Sequence, residues 1–407
     1  MSIFSIEKRL AGSLARAGVM ETPHGSIQTP AFVAVGTKAT VKSLTPEMLT
    51  ELGAQVVLGN TYHLYLEPGE GIVKEAGGLG TFMHWDGPTM TDSGGFQAFS
   101  LGAAYKKGVS KIARGDLTEG ALPDGSPTSN SSELSLAKIT EDGVHFRSHL
   151  DGSEHIFTPE KSIQIQHDLG ADIIFAFDEC TSPHASDVYQ EEALGRTHRW
   201  AQRCLVQHRV SDSKQLLFGI VQGGRVKELR EESARYIGGL CPSASGRSGF
   251  DGFGIGGSFN KDDLNTAVGW VNTILPENKP RHLLGIGEPE DIVMGVEAGC
   301  DLFDCVTPTR NARNGSLYTK EGRMNIENAC YRSDFTPIGA DCDCYTCKHF
   351  TRAYLSHLFR AHEMLAGTLA SIHNLRFLIR LTEELRLEIL DGTFEKYKKK
   401  FFVTYTK

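Results

Sequence analysis

Residues Cys300 to Arg313 read CDLFDCVTPTRNAR, and they combine groups that can do chemistry. The first half is short, apolar and punctuated by carboxylates, the pattern of a buried strand that delivers Asp304 to a rim. The second half carries Pro308, Arg310 and Arg313 without apolar periodicity and reads as a cationic loop. A carboxylate at a strand end beside two guanidiniums suits attack on an electrophile attached to something anionic. The bland alternative is that Asp304 caps the next element and both arginines are solvated. Other candidates occupy comparable places. Asp92 lies in TDSGGFQ with Ser93, two glycines that permit close backbone approach, and Phe96, which offers a stacking face. Asp178, followed by Glu179 and Cys180, can accept two N–H bonds from an amidine-like edge such as guanine presents. Gln222 supplies a donor for a carbonyl oxygen. Each of these alone is better explained by structure. Their common placement at the ends of apolar runs is what argues for a site.

Cys342, Cys344 and Cys347 form C-x-C-x2-C. Three thiolates within six residues repel one another unless a metal neutralises them, and soft thiolates favour zinc. A fourth ligand is required. His349 strains to close so short a loop, and His362 and His373 can fold back. His373 fits better, at the mouth of a new helix. A closed Cys3His set leaves no open position for water, so this metal is expected to hold structure and not to hydrolyse. The spacing Gly252-x-Gly254-x-x-Gly257 matches a dinucleotide fingerprint, but the glycines lie inside an apolar run and not after it. Glycine there is better read as letting a flat ligand reach backbone N–H groups.

The elements that must position these groups follow from apolar runs. Eight of them recur: Pro30–Thr37, Gln55–Thr61, Pro88–Gly94, Asp172–Cys180, Leu216–Gly224, Gly252–Ser258, His282–Gly287 and Cys300–Cys305. Runs apolar on both faces belong to parallel strands covered by helices. Thr45-Pro46 and Thr158-Pro159 pair an N-cap hydroxyl with proline at the first helical position. Asp187–Val210, Arg225–Leu240, Lys261–Leu275 and Pro289–Gly299 are long enough for helices. The repeat predicts an α/β chain folded as a (β/α)8 barrel, with a doubly wound sheet as the fallback. In such a barrel Asp92, Asp178, Gln222, Gly257 and Asp304 share one mouth. Residues 1–323 form the barrel, with a flexible insertion at about 102–139 whose front end (Lys106, Lys107, Lys111, Arg114) is basic, and a strand pair around 143–156. Residues 324–407 form a zinc-binding subdomain with two helices, and Lys396–Phe402 is a surface helix end.

Bulk properties narrow the class. The chain has 407 residues, 40% of them hydrophobic, enough for a large core. No apolar run is long enough to span a membrane, and MSIFSIEKRLAGS lacks the apolar stretch of a signal peptide. Nine cysteines without a secreted-style framework suggest a reducing cytoplasm. A net charge of −8 argues against wholesale coating of nucleic acid. Residues 301–407, with 16 Lys+Arg against 13 Asp+Glu, can still present a local basic footprint on an acidic body.

Several stretches together resemble tRNA-guanine transglycosylase, the bacterial-type queuine tRNA-ribosyltransferase family. They are GNTYHL (59–64), TDSGGFQ (91–97), SHLDGS (148–153), SIQIQHDLGADI (162–173), FDEC (177–180), FDCV (303–306), PTRNARNG (308–315) and the C-x-C-x2-C…H set. The resemblance runs from about Leu10 to Phe402. It implies exchange of guanine at the wobble position of GUN-anticodon tRNAs (Asp, Asn, His, Tyr) for a 7-deazaguanine base. In bacteria that base is usually 7-aminomethyl-7-deazaguanine, on the path to queuosine; salvaged queuine is the alternative. It further implies that Asp304 is the nucleophile at the ribose C1′ and Asp92 the general acid/base, in a double displacement with net retention. Asp178, Gln222 and Gly257 would read the base, with Ser93 and Cys180 beside them, and Phe96 and Leu284 would sandwich it. Arg310 and Arg313 would hold the tRNA anticodon loop, from which the target base is flipped out. The family usually forms homodimers and carries one structural Zn2+ per chain. Two departures stand out: the long insertion, and SFNKDD after Gly257, shorter than the usual segment and without its glutamate, for which Asp262 is a candidate substitute. A non-catalytic tRNA-binding subunit would have lost the acidic and pocket residues, and all are present. A metal-dependent hydrolase would need a His/Asp cluster at the strand ends, and no run ends in one.

Overall fold

The computed structural model describes residues 3–103, 137–182, 185–211, 213–241, 249–257 and 264–405. Most of the insertion expected at 102–139, its four basic residues and Asp262 lie outside the described residues. All eight apolar runs form parallel strands: β1 (Ala31–Val35), β2 (Val57–Gly59), β3 (Thr89–Thr91), β4 (Ile173–Phe175), β5 (Leu216–Val221), β6 (Gly252–Ile255), β7 (Arg281–Leu283) and β8 (Leu302–Asp304). They hydrogen-bond in that order and close, β8 pairing with β1 through Leu302↔Ala31 and Asp304↔Val33. Successive side chains on a strand face opposite sides. Ala31, Val33, Phe175, Leu216, Phe218, Ile220 and Leu302 therefore fill the barrel interior. Their neighbours Phe32, Ala34, Ile174, Leu217, Val221 and Phe303 pack under the surrounding helices. Both sets are buried, which is why the strands read as unbroken apolar runs.

The expected start signals act as written. The Thr45 hydroxyl accepts from Met48 N–H and that of Thr158 from Lys161 N–H, each with proline in the first turn. The helix at Asp187–Val210 has the expected bounds. Three features depart from expectation. Thr307–Arg313 is a helix and not a loop, because Pro308 opens it and its buried residues, Pro308, Thr309 and Ala312, lie against a long helix, Met364–Asp391. The C-terminal part has four α-helices where two were expected, the additional pair being Tyr345–His349 and Arg352–Arg360. Their signals are local caps: Cys344 Sγ accepts from Cys347 N–H, and the Thr351 hydroxyl from Tyr354 N–H. Unanticipated, too, is an antiparallel sheet of Phe4–Arg9, Arg16–Thr22 and Gly25–Thr29, whose Phe4, Met20 and Ile27 join the interior cluster and seal one end of the barrel. A second antiparallel sheet, Ala137–Ile139, Val144–Arg147 and Glu154–Phe157, includes the expected strand pair. Among the described residues no helix is long and apolar enough to cross a membrane.

The sealed end is tied by a buried ion pair. The Arg16 guanidinium, 2% exposed, grips both oxygens of the fully buried Asp301 at 2.9 and 2.6 Å and donates to Lys279 O at 2.8 Å. Asp301 also accepts from Arg281 N–H at 2.7 Å, so the pair links the N-terminal sheet to the strands β7 and β8. Removing one partner leaves a buried charge uncompensated. Arg16→Met is expected to destabilise the fold by roughly 3–5 kcal/mol in urea denaturation.

Candidate active site and metal centre

Because the strands are parallel and closed, their C-terminal ends open on one face. Asp92 and Gln222 directly follow β3 and β5, Leu284 directly follows β7, and Asp304 is the last residue of β8. Asp178 and Gly257 lie within three residues of the ends of β4 and β6. The structure thus brings to one mouth the five residues the barrel pattern placed there, together with Leu284.

Each carboxylate is held by donors from its surroundings. Asp92 accepts from the Asn60 side-chain N–H2 and, at 2.9 Å, from Thr61 N–H. Asn60 follows β2 and caps the helix Thr61–Leu66, its Oδ1 accepting from His63 N–H at 3.0 Å. That bond leaves only the amide N–H2 to face Asp92, which fixes how Asn60 is turned. Asp178, 7% exposed, accepts from the Ser93 hydroxyl at 3.1 Å and from the Gln222 amide at 2.7 Å. The Gln222 Oε1 is buried without a hydrogen-bond partner among the described residues, an acceptor that costs free energy as it stands. Asp304 accepts at one oxygen, Oδ1, from His282 Nε2 and from Gly285 N–H, both at 2.8 Å. Asn60, Thr61, His282 and Gly285 were not singled out from sequence. Asn60 had a usable signal, an N-cap residue near the end of an apolar run.

The walls follow the same logic. Phe96 opens the helix Gly95–Ala103 and, like Leu284, is half-buried; Cys180 is buried. Gly257 has φ of +105°, and a Cβ there would collide with the guanidinium of Arg230. Only glycine serves at this position. Arg230 is fully buried and spans the ends of β5 and β6, donating to Gly224 O at 2.8 Å and Gly256 O at 2.7 Å. Burial pulls its pKa down to about 9. His63, on the helix that caps Asp92, is held near pKa 4, first by burial and then by His149, Lys38 and Lys42. Arg310 is exposed on the Thr307–Arg313 helix. Arg313 is half-buried, donates to Thr309 O at 2.9 Å, and has its pKa lowered by burial and by Arg310.

Away from the mouth, Cys342, Cys344, Cys347 and His373 converge, their ligand atoms all within 4.8 Å of one another. His373 Nδ1 lies 3.6, 3.6 and 3.3 Å from the three sulfurs. Its Nε2 lies 2.7 Å from Tyr318 O, so the proton belongs on Nε2 and the Nδ1 lone pair faces the thiols. This donor set fits a metal ion.

Comparison with known proteins follows the same lines. The family model described as Queuine tRNA-ribosyltransferase matches residues 11–119 and 116–407. Proteins named queuine tRNA-ribosyltransferase from Caldanaerobacter subterraneus subsp. tengcongensis and Thermoanaerobacter pseudethanolicus are each 46% identical over 405 residues, covering 99% of this chain and 97% of theirs. One from Symbiobacterium thermophilum is 47% identical over 397 residues, covering 97% of this chain and 89% of its own. With nearly the whole length matched on a closed barrel that gathers its acidic residues at one mouth, the chain belongs to the queuine tRNA-ribosyltransferase family.

Proposed function

We propose that this chain exchanges guanine at the wobble position of GUN-anticodon tRNAs for a 7-deazaguanine base. The observation that carries the reading is the Asp178 carboxylate, buried at the barrel mouth and held by Ser93 and Gln222. Its two oxygens match the N1–H and 2-amino donors of a guanine edge. When the base arrives, the Gln222 amide turns from Asp178 to the base carbonyl, which the Gly257 N–H also meets. Phe96 and Leu284 cover the two faces, and Ser93 and Cys180 complete the wall. The ring must be unstacked from the anticodon loop to enter, while Arg310 and Arg313 hold neighbouring nucleotides.

Asp304 then attacks C1′ of the ribose. The bond from C1′ to the base nitrogen breaks as the bond to the carboxylate oxygen forms. The electron pair leaves with guanine, which takes a proton from Asp92. The second base gives its nitrogen proton to Asp92 and displaces Asp304, so two inversions give net retention. Asp92 enters the first step protonated, and the N–H donors from Asn60 and Thr61 suit the carboxylate it becomes on protonating guanine, the form that then takes the proton of the second base. The bacterial base, 7-aminomethyl-7-deazaguanine, is favoured by Cys180 at the end of FDEC; salvaged queuine is the competitor.

Cys342, Cys344, Cys347 and His373 would hold a zinc ion, which three soft thiolates and an imidazole favour, and with four protein ligands it would serve structure and not hydrolysis. The cytoplasm supplies both tRNA and the reducing conditions that suit nine free cysteines. A homodimer is supported by an exposed aromatic strip beside the metal, with Tyr345 50% and Tyr354 39% exposed and Phe350 stacked on Tyr354 at 5.3 Å.

Asp304→Asn should lower incorporation of labelled guanine into tRNA by about ten-thousand-fold or more. Near wild-type exchange would remove the nucleophile assignment. Asp92→Ala should lose roughly 10²–10⁴-fold in rate with tRNA binding intact, measured by filter binding. Elemental analysis should find one zinc per chain, and a chelator should lower the melting temperature; metal-free protein with an unchanged melt would exclude the structural role. Sedimentation should show a dimer that Tyr345→Asp shifts toward monomer.

A further inference from the structure

We infer that His282 is a positioning residue for the reaction, its Nε2–H holding the Asp304 carboxylate in the plane from which it attacks. This rests on the reading of Asp304 as nucleophile given above. His282 sits on β7, directly opposite Leu302 of β8 in the parallel pairing. Its side chain is 0% exposed, and Nε2 lies 2.8 Å from Asp304 Oδ1. A carboxylate oxygen only accepts, so Nε2 is the donor. The other ring nitrogen, Nδ1, is buried with no hydrogen-bond partner among the described residues. The Nε2–H tautomer is the one that leaves no N–H unpaired there, since an unpartnered buried N–H carries a desolvation cost. The ring is further fixed edge-on against Phe175, centroids 5.5 Å apart at 89°.

The second donor to the same oxygen, Gly285 N–H at 2.8 Å, comes from the loop that continues β7. Two N–H groups borne by one strand and its loop thus converge on Oδ1. A single bond would leave the carboxylate able to turn about its own axis, and two fix that rotation. Attack on C1′ depends on such alignment, because a nucleophile misplaced by a fraction of an ångström loses rate without losing substrate affinity. His282 does not touch the base, which Asp178, Gln222 and Gly257 hold from other strands. Its contribution should therefore appear in the step that forms the covalent intermediate and not in binding.

The test is single-turnover formation of the covalent enzyme–tRNA complex by the full-length enzyme, alongside steady-state guanine exchange, for wild type, His282→Leu, His282→Gln and Asp304→Asn. His282→Leu should slow covalent complex formation and kcat roughly 10- to 100-fold. Its KM for guanine should stay within about threefold of wild type. His282→Gln, which returns a side-chain N–H at similar reach, should recover most of the rate. Equal losses in the Leu and Gln variants, or a loss confined to KM, would overturn the inference. If Asp304→Asn still forms the complex, the nucleophile reading fails and the inference falls with it. If Asp304→Asn is inert while His282→Leu matches wild type, only the inference about His282 fails. Should the Leu variant not fold, the histidine ¹⁵N–¹H spectrum of the wild-type protein decides: an Nε2–H tautomer at His282 supports the inference, and an Nδ1–H tautomer excludes it.

Discussion

Three carboxylates, Asp92, Asp178 and Asp304, end at one mouth, and their mutual repulsion has to be outweighed by N–H and O–H donors aimed at each. The donors come from next door. Asn60 and Thr61, past β2, serve Asp92 after β3. Ser93 and Gln222, past β3 and β5, serve Asp178 between them. His282 and Gly285, on and past β7, serve Asp304 on β8. A hydrogen bond to a charged group contributes about 1.5–3 kcal/mol, comparable to the cost of the charge it offsets. These donors lie on neighbouring strands and the segments that follow them, so the site depends on the barrel closing in this register. A slip of one residue would turn each carboxylate to the opposite face.

That dependence explains what could be read from the chain. The eight strands were legible because both faces of each are buried, and a run such as LLFGIV leaves few other readings. The acidic residues were legible because they interrupt those runs at their ends. His282 was not, although it opens a run: a histidine between Arg281 and Leu283 carries no mark of what faces it until β8 is placed alongside. The N-terminal sheet was missed for a related reason. FSIEKR has one buried residue and five that are not, so its contribution, Phe4 under the barrel, is a tertiary fact with hardly any local pattern. The Thr307–Arg313 helix was read as a loop because its partner, the Met364–Asp391 helix, is some fifty residues away in sequence.

The metal centre and the cationic helix belong to one assembly. His373, whose Nδ1 faces the thiols, binds Tyr318 O through Nε2. Its neighbour Asn374 accepts from Tyr318 N–H at 3.0 Å and donates to Pro308 O and Ser316 O, both at 3.0 Å. Pro308 opens the helix that carries Arg310 and Arg313. The Cys3His cluster therefore shares a turn of the long helix with Asn374, which reaches the arginine-bearing helix. In the proposed function, a metal held there would help set where the tRNA backbone is met.

An exchange reaction sets a constraint that simple hydrolysis does not: one pocket must accept two bases in succession. Guanine and its 7-deaza analogues share the N1, 2-amino and carbonyl edge, and in the proposed function Asp178, Gln222 and the Gly257 N–H address that edge. Contacts that both bases make equally cannot favour one over the other. Discrimination in that reading has to be exercised at position 7, on the far side of the ring. The shared edge thus provides capture and alignment. In that reading, what meets position 7 sets how readily each base is taken up, whereas the equilibrium of the exchange belongs to the bases and the tRNA, because such a contact lowers the barrier equally in both directions.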